Sequence, residues 1–136
     1  MKAINKNSQL VFQAEIDRMA GKQHVEIGEG GSYTPLVVER IGEIRYKSGQ
    51  AFPLFSFAHY GVKNGDLMLD PYVAMIVAET GMYPISYRND FAGINYEAVI
   101  YDAGGCFESV RNGPQADIVA FCDMWARNLR EQQESG

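Results

Sequence analysis

A chain of 136 residues has room for one domain, since a second would fall below the size that folds without disulfides or metals. Its 46% hydrophobic content is enough to form a core, and the compositional signature of disorder is absent. The net charge of −5 and the lack of any basic stripe exclude the electrostatic footprint of a nucleic-acid binder. The acidic residues are scattered, which also argues against mimicry of DNA.

Two cysteines, Cys106 and Cys122, stand far apart with no CxxC and no Cys/His pair at zinc spacing, so they read as reduced thiols. The longest apolar run, Tyr72 to Ala78, is too short to span a bilayer. The N-terminus lacks the apolar core of a signal peptide. These features place the protein in the cytoplasm, without a membrane partner.

Ser8 is the expected N-cap of a first helix over residues 8–20. Phe12, Ile16, Met19 and Ala20 fall on one face, and Gly21 supplies the left-handed stop. The period then changes. His24-Val25-Glu26-Ile27, Tyr33 to Glu39, Ile44-Arg45-Tyr46, Pro53 to Val62, Tyr83 to Tyr87 and Tyr96 to Tyr101 are short β-branched and aromatic runs separated by glycine or asparagine. No helical segments lie between them, so parallel βαβ units are not expected. Asn112-Gly113-Pro114 closes this region. Ile118, Phe121, Cys122, Trp125 and Leu129 then form the apolar stripe of a second helix over residues 114–131, ahead of a frayed tail at 132–136. The expected fold is α+β: one domain, with an antiparallel meander of about five to six strands over residues 23–110 and a helix from each end packed on it.

Asn64-Gly65 is the strongest turn signal, because a type I′ hairpin needs positive φ at both central residues. Counting outward pairs Lys63 with Asp66, Val62 with Leu67, Gly61 with Met68, Tyr60 with Leu69 and His59 with Asp70. Alternation then puts His59, Lys63, Asp66 and Asp70 on one face, and Tyr60, Val62, Leu67 and Leu69 on the other, inward face. A His59–Asp70 couple is a candidate general acid/base pair. With Asp66 it is also a candidate metal or hydrolytic site. A hairpin laced by two ion pairs is the alternative, with His59 half-buried against the rings of Phe55 and Phe57. Pro71 cannot donate to a ladder and argues for an edge strand.

Other candidates are weaker. Gly28-Glu29-Gly30-Gly31-Ser32 precedes a strand, whereas a phosphate loop needs a following helix. No serine lies in a Gly-x-Ser-x-Gly setting. No cofactor is expected. Eight tyrosines and seven phenylalanines exceed what a core of this size absorbs, and exposed tyrosine suits a protein interface. A protein partner or a second copy of the chain is the expected contact.

Ala58-His59-Tyr60, Asn64-Gly65-Asp66-Leu67-Met68 and Asp70-Pro71 resemble a block of an uncharacterised small-domain family of bacterial plasmids and integrative conjugative elements. Tyr83-Pro84-Ile85-Ser86-Tyr87-Arg88-Asn89-Asp90-Phe91-Ala92-Gly93 and Met124-Trp125-Ala126-Arg127-Asn128-Leu129-Arg130-Glu131-Gln132 are similar to two further blocks. Tyr72 stands where that family carries an acidic residue, which weakens the metal reading. The resemblance implies no catalytic residues. It implies an accessory protein of a mobile element that binds a host protein, such as a restriction or CRISPR component, and blocks it. The binding residues expected from these blocks are His59, Tyr60, Asn64, Asp66, Asp70, Tyr87, Asn89 and Asp90.

Overall fold

The computed structural model describes residues 1–27 and 35–135. The expected loop Gly28 to Ser32 and the start of the Tyr33 run lie outside the described residues. The element order is α1 (Lys6–Asp17), β1 (His24–Ile27), β2 (Leu36–Arg45), β3 (Ala51–Lys63), β4 (Asp66–Ala78), β5 (Gly81–Asn89), β6 (Ile94–Glu97), β7 (Val99–Tyr101), β8 (Phe107–Val110) and α2 (Asn112–Ser135). Strands β1 to β6 form one antiparallel sheet in sequence order, and β7 and β8 form a separate two-stranded ribbon. This is the α+β meander that the alternating runs predict.

The helices cover one face of the sheet, here called the inner face. Phe12 of α1 and Met19, in the turn just after it, meet Ile118, Cys122, Trp125 and Leu129 of α2 over Val38, Phe57, Val73 and Met75. Phe12 packs edge-on to Phe57 at 4.8 Å and tilts against Trp125 at 5.7 Å. The apolar stripe expected on the second helix is thus the one that is buried. Burial pushes the Cys122 thiol pKa upward, with the nearby Asp123 adding to the shift, which leaves this cysteine a packing group.

The helix ends differ from expectation. Asn5 is the N-cap of α1, its Oδ1 accepting from the Ser8 amide at 2.8 Å. Ser8 itself is buried, and its hydroxyl donates to Asp123 Oδ1 at 2.7 Å. The same oxygen accepts from the Asn5 amide at 3.0 Å, so α2 supplies an anion to the start of α1. The α1 helix stops at Asp17, three residues early, and both Ala20 and Gly21 adopt positive φ in the turns that follow. At the other end α2 stays helical through Ser135, past the expected end at residue 131.

The Tyr96 to Tyr101 run is two strands. At Ala98, which is fully buried, the chain leaves the sheet edge. The Ala98 amide donates to Ile85 O, and its carbonyl accepts from the Arg111 amide, both at 2.7 Å. This step lays the β7–β8 ribbon across the outer face, where Val99 and Phe107 pack with Ile44, Ala74, Ile76 and Ile85. A bulge between Arg40 and Gly42 makes this possible. It shifts the alternation of β2 so that Leu36 and Val38 point inward while Ile44 points outward.

Candidate functional site

The Asn64-Gly65 turn forms as expected, with φ of 54° and 84°. The pairs Lys63–Asp66, Val62–Leu67, Gly61–Met68 and Tyr60–Leu69 are all in register. The side chains of Lys63 and Val62 lie outside the described residues, and with them the expected Lys63–Asp66 ion pair. Beyond Tyr60 the expected register fails. Ala58 pairs with Tyr72, so Asp70 and Pro71 together face His59 across a bulge. The anticipated His59–Asp70 pair does not form. Pro71 accordingly sits in an interior strand, fourth of six, where the bulge accommodates its missing amide.

The expected faces are also reversed. Phe55, Phe57 and His59 keep one parity along β3, and that parity is the helix-covered side. His59 is half-buried with its ring 5.7 Å from that of Trp125 and Nδ1 3.2 Å from Pro35 O. Tyr60 and Leu69 are on the outer side, and Leu67 is 68% exposed where burial was expected. Asn64 and Asp66 are exposed at the hairpin tip. Among the described residues, no three histidine, cysteine, aspartate or glutamate side chains gather as a metal-ligand set.

Asp70, Asn89 and Asp90 form a clamp that replaces the ladder interrupted at Pro71. Asn89 Nδ2 donates to Asp70 Oδ1 at 2.8 Å. The Leu69 amide donates to Asp90 Oδ2, and the Asp90 amide donates back to Leu69 O, both at 2.8 Å. Arg88 Nε donates to Asp90 Oδ1 at 2.6 Å. The Leu69 amide, and secondarily Arg88, hold the Asp90 carboxyl below the usual aspartate range. Its stabilising contribution is therefore present above the unfolded-state pKa and is lost as the pH falls through the lowered one. Asp90→Asn is expected to reduce the melting temperature at neutral pH. The gap to wild type should narrow on acidification, when the native carboxyl is protonated as well; a constant gap across the titration would show that the charge is irrelevant. Tyr87, also expected to bind, faces inward against Phe121 at 4.9 Å.

The outer face carries the remaining surface chemistry. Two rows of residues cross all six strands on this side. One is His24, Glu39, Ser56, Ala74, Ser86, Glu97; the other is Glu26, Val37, Ala58, Tyr72, Arg88, Asn95. The β7–β8 ribbon covers the end of the face that holds Ile44 and Ile76. Tyr72 packs at the edge of that covered cluster, while Tyr60 and Leu67 lie outside it.

His24 Nδ1 is 3.0 Å from Glu39 Oε1, and since a carboxylate only accepts, Nδ1 carries the proton. His24 Nε2 lies 3.8 Å from Glu26 Oε1. Burial, then Glu39 and Glu26, raise the Tyr60 pKa. Burial raises that of Tyr72, with Glu39, Tyr60 and Glu97 adding to it and a hydrogen bond with Ser56 opposing it. Burial and Glu97 do the same to Tyr101. Partial desolvation raises Glu97 itself. These phenols stay neutral donors at physiological pH, set among carboxylates.

A hollow of about 360 Å³ on this half is lined by His24, Glu26, Pro35, Val37, Tyr60 and Leu67. A larger groove of about 800 Å³ lies at the far end of the sheet, where Tyr46, Phe52, Pro53, Ile76 and Tyr83 make its apolar wall. There Thr80 Oγ1 and Tyr83 Oη are 2.7 Å apart.

A family model described as a domain of unknown function, DUF6908, matches residues 5–134. The chain belongs to the DUF6908 family. Neither a curated protein nor a solved structure matches it. In this DUF6908 domain, Tyr60 is the one residue among those expected to bind that lies on the open outer half. Sequence reasoning missed Tyr72, Glu26, Glu39 and Glu97. The alternation of His24-Val25-Glu26 and Val37-Val38-Glu39 marks each as facing away from its apolar neighbour, but joining them needs the register across six strands. Among the described residues, no helix is long and apolar enough to cross a membrane.

Proposed function

We propose that this DUF6908 domain is a non-catalytic protein-binding module that uses the open half of its outer sheet face as the contact surface. The observation that carries this reading is the pairing of half-buried Tyr60 with exposed Leu67 in one hollow of the outer face, beyond the apolar cluster that the β7–β8 ribbon covers. Tyrosine contributes a large contact area with few rotors to freeze, and its hydroxyl satisfies polar groups of a partner. The resemblance to mobile-element proteins extends the proposal. The bound protein is a host factor, such as a component of a restriction or CRISPR complex, and the module acts by occluding it.

The test compares capture of a defined partner from bacterial lysates by the wild-type protein and by Tyr60→Ser/Leu67→Ser. The double variant should lose most of the captured partner while retaining its melting temperature, because both side chains are exposed or half-exposed. Equal capture by both proteins would remove the outer face from consideration.

A further inference from the structure

We propose that the outer face receives an arginine- or lysine-bearing segment of the partner, with a cationic side chain entering the hollow lined by Tyr60 and Glu26, next to the His24–Glu39 pair. This inference rests on the protein-binding reading above and names the chemistry of what is bound.

The hollow of about 360 Å³ is large enough for one extended long side chain, and its wall includes the aromatic Tyr60 and the carboxylate Glu26. Ser56, Ala58 and Ala74 in the middle of the face are small and already buried, which leaves Tyr60 and Leu67 as the accessible apolar groups beside the hollow.

Glu26 and Glu39 flank His24 at one side of the face, and Glu97 stands at the other end of the same row. Of the nearby cations, Arg88 is engaged by Asp90, and Arg111 lies at the Glu97 end, away from the hollow. The Tyr60 and Tyr72 pKa values are raised first by burial and, to a lesser degree, by Glu39 with Glu26 at Tyr60 and by Glu39 with Glu97 at Tyr72. The whole chain carries a net charge of −5, which adds long-range attraction for a basic partner.

The same pattern rejects two other occupants. A second copy presenting this face would set Glu26, Glu39 and Glu97 against themselves, and like charges across an interface oppose association. A nucleic acid would bring phosphates to the same carboxylates. A basic protein segment satisfies both the carboxylates and the rings.

The test uses fluorescence anisotropy with a labelled hexa-arginine peptide, and hexa-glutamate as counter-probe, at about 150 mM salt so that long-range charge is screened. Wild type should bind hexa-arginine and ignore hexa-glutamate. Glu26→Gln/Glu39→Gln should weaken binding about tenfold or more. Asp117→Asn/Glu131→Gln removes the same two charges from exposed positions of α2 and should leave the affinity within about twofold. Absent binding, or equal weakening by both double variants, overturns the proposal.

A second arm separates this inference from the reading beneath it. If Tyr60→Ser/Leu67→Ser abolishes partner capture while Glu26→Gln/Glu39→Gln captures normally, the face binds protein without needing a cation, and only the present inference falls. If neither variant affects capture, both fall.

Discussion

Replacing Phe57 with alanine is expected to lower the stability of the protein by about 3–5 kcal/mol. Phe57 is fully buried at the middle of β3, edge-on to Phe12 at 4.8 Å, and Phe12 in turn meets Trp125. Removing the ring opens a void at the point where both helices and three central strands meet, and surrounding groups on rigid strands close it only in part. Against a typical total of about 5–15 kcal/mol, such a loss leaves a marginal fold. Denaturant unfolding followed by the fluorescence of the single tryptophan, Trp125, measures it directly. Phe91→Ala is the matched control: that ring is 42% exposed, and its loss should change stability by under about 1 kcal/mol. A similar small effect for Phe57→Ala would mean that this ring is not central to the core.

Gln115→Leu should lower stability by about 1–3 kcal/mol through a different mechanism. Gln115 is buried at the start of α2, and its side chain ties three segments together. Nε2 donates to Pro84 O at 3.0 Å and to Lys2 O at 2.7 Å, while Oε1 accepts from the Lys2 amide at 3.0 Å. Leucine fills nearly the same volume, so packing is largely kept and the polar groups lose their partner. The main penalty is at Pro84, a buried residue whose carbonyl is left without this donor. Lys2 is exposed and its groups turn to water, so the N-terminal segment should loosen. Hydrogen exchange at Ile4, whose amide donates to Met82 O at 3.0 Å, should accelerate in the variant. Unchanged exchange there would show that the segment is held by the packing of Ile4 alone.

The hairpin shows where reading the chain stops being sufficient. The Asn64-Gly65 turn and four pairs beside it follow from local backbone preference, because positive φ at both positions admits few alternatives. The next pair fails because Pro71 cannot join the ladder and adds a residue to β4. The faces were misassigned for a related reason. The apolar residues near the turn suggest that Tyr60 and Leu67 point inward, yet the parity of β3 is set by Phe55 and Phe57, which lie deeper under the helices. Side-chain direction along an unbroken strand follows its most buried members.

Asp70, Asn89 and Asp90 make the corresponding point for the candidate site. Their polar character suggests surface recognition, whereas together they restore hydrogen bonds around the bulge at Pro71. Such a role emerges only when residues nineteen and twenty-one positions apart are brought together.

By itself, the sequence determined the two helices, the meander order of the sheet, the type I′ turn and the apolar stripe of α2, because each depends on local periodicity or local φ preference. The tertiary structure alone decided which sheet face the helices take, the crossing of the chain at Ala98, and the assembly of Tyr60, Tyr72, Glu26, Glu39 and Glu97 on the outer face. Those outcomes depend on bulges that shift parity and on register summed over six strands, and no short window of sequence carries that sum.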